Sequence, residues 1–180
     1  MRHPLRTGLI LLLIIPTLIT MPACAKKASV VEKKTKTETN QAEIDRQKEL
    51  EKERQQKEAL EKEFRAAKIK FVYEDVYFKK GSYHLQPEAR EILERKAAFL
   101  KKYPQVSVII EGHTDERGSK ETNIAFGDRR AGAVKSFLIR EGIERERLIP
   151  VSYGKERPID TGKTEKARAK NRRVHFVIEE

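Results

Sequence analysis

The chain has 180 residues, a formal net charge of +11 and 37% charged residues. That length holds one ordinary domain with extensions, and the basic balance points to an anionic partner such as nucleic acid, a membrane surface or an acidic polymer. The single cysteine, Cys24, excludes an intramolecular disulfide scaffold.

Residues 1–23 have the character of an export signal. Arg2 and Arg6 give a positive start, residues 9–15 are an unbroken apolar run, and small residues follow. The stretch is short for a membrane-spanning helix and is interrupted by Pro16 and Pro22. Cys24 closes the sequence MPAC, which resembles a bacterial lipobox. That resemblance implies a lipidated Cys24 as the first mature residue. Ala25 in the next position, where an aspartate would mark retention, implies sorting to the outer membrane.

Residues 24–40 are polar and rich in Lys and Thr. They offer little apolar surface to bury, so a disordered tether is expected. Residues 41–68 contain no Gly or Pro and are dominated by helix formers. Glu53/Lys57, Glu58/Lys62 and Glu61/Arg65 are i, i+4 pairs in the favourable order. Ile44, Leu50, Leu60 and Phe64 do not sustain a heptad, so this segment is read as a charged helical spacer, on the order of 40 Å long at 1.5 Å per residue. Its acidic and basic residues nearly balance, which excludes a nucleic-acid arm.

The domain proper is expected over residues 69–180. Residues 71–78 (FVYEDVYF) are aromatic and β-branched and predict a strand. Residues 79–83 form a loop, and Pro87 suits the first turn of a helix whose core stripe is Ala89, Ile92, Leu93, Lys96, Ala97, Leu100 and Tyr103. Pro104 stops it. A second strand follows over 105–112, and a second helix over 121–141 with Ile124, Gly127, Ala131, Val134 and Leu138 inward and Gly142 past its end. A third strand (147–153), a loop, a short basic helical segment (165–170) and a last strand (173–178) complete the order. This is an α+β fold, β-α-β-α-β-β, with one mixed sheet and helices on one face.

The stretch EGHTDERGSKETNIAFGDRRA, residues 111–131, carries the chemistry. Asp115 is placed at a strand end. Asn123, Phe126 or Gly127, and Arg130 recur at i, i+3 or i+4, and i+7 and share one helix face. An anion and a cation therefore converge, which suits a ligand bearing both an ammonium and a carboxylate. Both groups are expected at the rim of the fold. His113 has no second histidine at ligand spacing and reads as structural rather than metal-binding. Arg172 and Arg173 fall where strand alternation sends one to solvent and one toward a neighbouring loop. No Ser–His–Asp or Cys–His set is present, and Arg130 near Asp115 favours an ionised carboxylate over a general acid. The chain is therefore read as a binding protein, not an enzyme, with no cofactor or metal.

The run TDERGSKETNIAFGDRRAGAVKSFL resembles the peptidoglycan-binding motif of OmpA-like domains, T-D-x-x-G-x-x-x-x-N-x-x-L-S/G-x-x-R-A-x-x-V-x-x-x-L. EGHTDERG, SYGKERP and NRRVHFVI, with the lipobox, point to the lipoprotein branch of that family. The resemblance implies a pocket for the diaminopimelate of the peptidoglycan stem peptide. In it Asp115 would accept from the ammonium and Arg130 would hold the carboxylate, while Asn123 would order the loop and Phe126 and Gly127 would line the floor. It also implies an outer-membrane lipoprotein on the periplasmic face, acting in envelope integrity and cell division, with TolB of a Tol system as partner and no nucleic acid. An OmpA-like lipoprotein outside a Tol system is the alternative, and a flagellar stator-type protein would need a true transmembrane helix. Phe126 stands where leucine is usual and Thr122 where tyrosine is common. Lys79 and Lys80 replace the usual acidic or aromatic character after the first strand, a rim retuned toward an anionic wall.

Overall fold

The computed structural model describes residues 25–179. The expected signal and Cys24 lie outside them. The chain divides into two units at Gln55/Gln56. In the first, the described residues are the N-terminal part of a helix, α1 (Ala25–Tyr73), and the side chains of residues 38–55 are solvent-exposed. The helix thus occupies the stretch expected as a disordered tether. Residues 25–73 contain neither Gly nor Pro to break it, and each added residue of a propagating helix gains a backbone hydrogen bond. Its close side-chain pairs, such as Arg54–Glu51 at 3.4 Å, are exposed and contribute little.

The second unit corrects the other end of the same helix. Residues 71–73, expected to open a strand, are the last turn of α1, and the first strand is only β1 (Val76–Tyr77). Burial overrides β-propensity here. Phe71 is 3% exposed and stacks on Phe99, with ring centroids 4.5 Å apart, and meets Phe176 edge-on at 5.5 Å. One turn and more back, Phe64 meets Tyr103 edge-on at 4.8 Å. The buried Lys96 donates to the Phe71 carbonyl, placing a cation at the helix C-terminus, where the helix dipole favours one.

The remaining elements follow the expected order: α2 (Pro87–Lys102), β2 (Ser107–His113), α3 (Lys120–Arg140), a 3-10 turn (Arg145–Arg147), β3 (Leu148–Gly154), α4 (Glu165–Asn171) and β4 (Arg173–Glu179). Pro87 starts α2, and Gly142, at φ 88°, ends α3 while its N–H reaches Ile139 O at 2.9 Å. The sheet order is β1-β4-β2-β3, with β2 parallel to β3 and β4 antiparallel to both β1 and β2. Val108 and Ile110 of β2 pair with Ile178 and Phe176 of β4. With Leu148 and Val174 they face the core residues of α2 and α3, among them Leu93, Leu100, Val134 and Leu138. Alternate residues of β2 (Ser107, Ile109, Glu111) point to the other face and are half-buried.

Two glycines let α3 come down on β2. A Cβ on Gly127 would sit 2.3 Å from Ser152 Oγ and 2.7 Å from Gly112 O, and one on Gly112 would sit 2.0 Å from Gly127 O. Backbone against backbone at this point fixes the height of the α3 N-terminal half over the end of β2. Ser152 Oγ–H donates to Ile124 O at 2.7 Å and pins the same turn to β3.

Candidate ligand-binding cleft

The loop after β2, the first three turns of α3, the loop after β1 and the residue before β4 converge on a cleft of about 360 Å³. It is lined by residues from all four, including Thr114, Asp115, Asn123, Phe126, Arg130 and Arg172. The local reasons are plain. Ser119 caps α3, its Oγ accepting from Thr122 N–H at 3.2 Å. Gly118, at φ 90°, turns the loop into that cap. Asn123 Nδ2 donates to Arg117 O at 2.9 Å and Ser119 O at 2.8 Å, and Lys155 Nζ donates to Gly118 O at 2.7 Å. The 114–119 loop is thereby held from two sides.

Asp115 lies two residues beyond β2 and is 8% exposed. Its Oδ1 accepts from Arg117 Nε at 3.1 Å and from Arg117 N–H at 3.3 Å, and its Oδ2 from Arg117 Nη2 at 2.6 Å and Arg172 Nη1 at 3.3 Å. Burial alone would raise its pKa. The Arg117 side-chain and backbone donors and the Arg172 guanidinium outweigh that and hold it down at about 2. The carboxylate is therefore an anion at any working pH.

Arg130 is 1% exposed, so the expectation that it lies at the rim is corrected. It is threaded through the fold. Nε donates to Ser82 O at 3.1 Å and Nη1 to His113 O at 2.8 Å, and the guanidinium lies 5.2 Å from the centroid of Phe78 and 5.4 Å from that of Phe126. The aromatic character after the first strand is thus present in Phe78, against the arginine. Burial, then the neighbouring Arg172, lower the Arg130 pKa to about 10, partly opposed by Asp115. It stays a cation at neutral pH.

Of the five residues expected to bind ligand, Asp115, Asn123, Phe126 and Arg130 share the cleft. Gly127 does not line it: it faces the sheet, where its missing Cβ admits Gly112 and Ser152. Of the two rim lysines, Lys80 lines the cleft. The sequence reading missed Arg172, and the alternation argument for the terminal arginines is corrected, since both are buried at 6% and 5%. Arg172 precedes β4, so strand periodicity does not govern it. Its Nε reaches Phe78 O at 3.3 Å and its Nη2 pairs with Glu165 at 2.9 Å. Arg173 turns to Asp75, 3.3 Å away but too poorly aligned for a hydrogen bond. Thr114, 5% exposed, lines the cleft with its Oγ1 unpartnered among the described residues.

His113, the last residue of β2, stacks on Tyr153 at 5.8 Å and is 1% exposed. Burial, with Arg173 and His175 nearby, lowers its pKa to about 3, so Glu111 at 3.5 Å faces a neutral ring. Among the described residues no three His, Cys, Asp or Glu side chains cluster as metal ligands. The cleft offers one anion, Asp115, amid Lys80, Arg117, Arg130 and Arg172. Electrostatically it suits an anionic or zwitterionic ligand.

The OmpA family profile matches residues 77–172, more than half of the chain, and the chain belongs to that family. Within it, the chain is similar to proteins named peptidoglycan-associated lipoprotein. It is 46% identical over 102 residues to that of Pasteurella multocida, covering 57% of this chain and 68% of the relative. It is 50% identical over 100 residues to that of Pseudomonas aeruginosa, covering 56% of this chain and 59% of the relative, less than two thirds of that protein's length. The crystal structure of the peptidoglycan-associated lipoprotein from Burkholderia pseudomallei superposes with a TM-score of 0.57 at 40% identity, covering 58% of this chain and 89% of that one.

Proposed function

We propose that this protein is an outer-membrane lipoprotein that grips peptidoglycan without covalent chemistry. Lipid on Cys24 holds one end in the membrane, a charged helical segment follows it in the chain, and the C-terminal domain binds the diaminopimelate of the stem peptide. The carrying observation is that Asp115, in the loop after β2, and Arg130, on α3, line one cleft. In it Asp115 accepts from the ligand ammonium and Arg130 holds the carboxylate. Asn123 orders the loop and Phe126 forms the apolar wall. An Asp115 pKa of about 2 leaves no proton for general-acid work, which favours binding over hydrolysis. The same reading makes TolB the partner, within a Tol–Pal system serving envelope integrity and cell division.

Co-sedimentation with purified peptidoglycan tests it. The wild-type chain should pellet with the sacculi, and Asp115→Ala should bind roughly tenfold to a hundredfold more weakly, as befits loss of one charge-assisted hydrogen bond. Undiminished pelleting of Asp115→Ala overturns the assignment of the cleft. The anchor is tested separately: Cys24→Ser should move the protein from membranes to the soluble fraction, and its persistence in outer membranes contradicts lipidation.

A further inference from the structure

We infer that Arg117 is a built-in competitor for the ligand's cation, so that the cleft binds by exchanging one positive group on Asp115 for another. The inference rests on the reading of the cleft given above. An ionised carboxylate offers about four acceptor positions. The chain fills them: Oδ1 takes Arg117 N–H and Nε, and Oδ2 takes Arg117 Nη2 and Arg172 Nη1. No position is left for an incoming ammonium until a donor withdraws.

The two arginines differ in their freedom to withdraw. The Arg172 side chain is 7% exposed and is tied elsewhere by Phe78 O and Glu165. The Arg117 side chain is 35% exposed. Its main chain is held independently, because Arg117 O accepts from Asn123 Nδ2 at 2.9 Å. The guanidinium can therefore swing to water while the loop keeps its shape. Replacing a bidentate guanidinium by an ammonium gains less on Asp115 than pairing a free carboxylate would. A ligand offering only a cation is weakened accordingly. A ligand that also brings a carboxylate gains at Arg130, which has no carboxylate at ion-pair distance among the described residues and already sits desolvated between two rings. Arg117 sets a threshold that every ligand must cross, and Arg130 decides which ligand crosses it.

The test is calorimetry of the full-length chain in detergent with two stem peptides, one with diaminopimelate and one with lysine at the third position. Arg117→Ala should raise the affinity for both by the same factor, on the order of tenfold, since both must displace the same partly exposed pair. The ratio between the peptides should stay unchanged, because the preference resides at Arg130. Arg117→Met, which keeps the aliphatic stem over the loop, should behave alike, and Arg117→Lys, with a single-point cation, should fall between. Weaker diaminopimelate binding by both Arg117→Ala and Arg117→Met, with Asp115→Ala also weakened, would show that Arg117 reads the ligand itself; that outcome overturns the competitor and leaves the cleft assignment standing. Unaltered affinity in Asp115→Ala would overturn the cleft assignment, and the competitor with it.

Discussion

Two cations are buried to 1% exposure in this domain, and they are put to different uses. Lys96 on α2 reaches the carbonyl of Phe71 with its ammonium 4.4 Å and 4.2 Å from the ring centroids of Phe71 and Phe176. Arg130 on α3 reaches two carbonyls between the rings of Phe78 and Phe126. The surroundings look alike, aromatic faces and main-chain oxygens. The difference is the next neighbour. Arg130 opens on a cleft that holds the anion Asp115, and its charge persists, with a pKa near 10. Lys96 anchors the last turn of α1, and burial lowers its pKa to about 8, within reach of neutrality. Burial of charge alone does not mark a site. A charge that cannot be given up, facing a cleft with its opposite, does so far better.

The largest expected effect follows from the Arg130 side of this contrast. Arg130→Ala should lose most peptidoglycan binding and also lower stability by about 3 kcal/mol, because two charge-assisted hydrogen bonds go and Ser82 O and His113 O lose their donor. Denaturant melts beside the binding assay check this. Unchanged stability would mean that Arg130 is not the structural thread its burial indicates. Arg130→Lys should restore neither property, for want of the planar fork.

The Lys96 side has a pH signature. The folded chain gives up this proton near pH 8 and the unfolded chain near 10.5. Between those values the unfolded state binds more protons, so stability should rise with pH by up to about 3 kcal/mol, and below pH 8 this contribution should be flat. The part of the slope missing in Lys96→Met is the readout. Identical pH profiles for the two chains would show that Lys96 is not desolvated as described.

Smaller effects separate architecture from site. Gly127→Ala should cost about 1–3 kcal/mol in thermal or denaturant unfolding, since its methyl meets Gly112 and Ser152 and must push α3 off the sheet. A variant of wild-type stability with altered ligand affinity would return Gly127 to the cleft floor. Phe64→Ala should cost the least, about 1 kcal/mol, for loss of its ring contacts with Tyr103 and Phe99. No change on melting would mean that the α1 segment before Phe71 does not pack on α2.

The same contrast explains what the sequence made legible. Asp115, Asn123 and Arg130 were readable because strand end, loop and helix are consecutive, and helical spacing alone puts Asn123 and Arg130 on one face. Arg172 was not, because only the sheet order β1-β4-β2-β3 brings the start of β4 beside the end of β2. Gly127 fits the helix face equally well as floor or as packing contact, and only the distance to Gly112 separates the two. The 71–78 segment misled because Phe71, Val72 and Tyr73 favour strands locally, while the core around Phe99, Phe176 and Lys96 accepts Phe71 from a helix. Lys96 was placed on the inward stripe by spacing, but nothing in the spacing indicated the carbonyl that receives it.

The central claim is that Asp115 and Arg130 read the two charged ends of one side chain. Calorimetry of the wild-type chain with the diaminopimelate and lysine stem peptides tests it most directly, because lysine keeps the ammonium and lacks the carboxylate. Diaminopimelate should bind at least roughly tenfold more tightly, about 1.4 kcal/mol, with most of that preference gone in Arg130→Ala. Equal affinity of the wild-type chain for both peptides would contradict it, for then no group in the cleft reads that carboxylate.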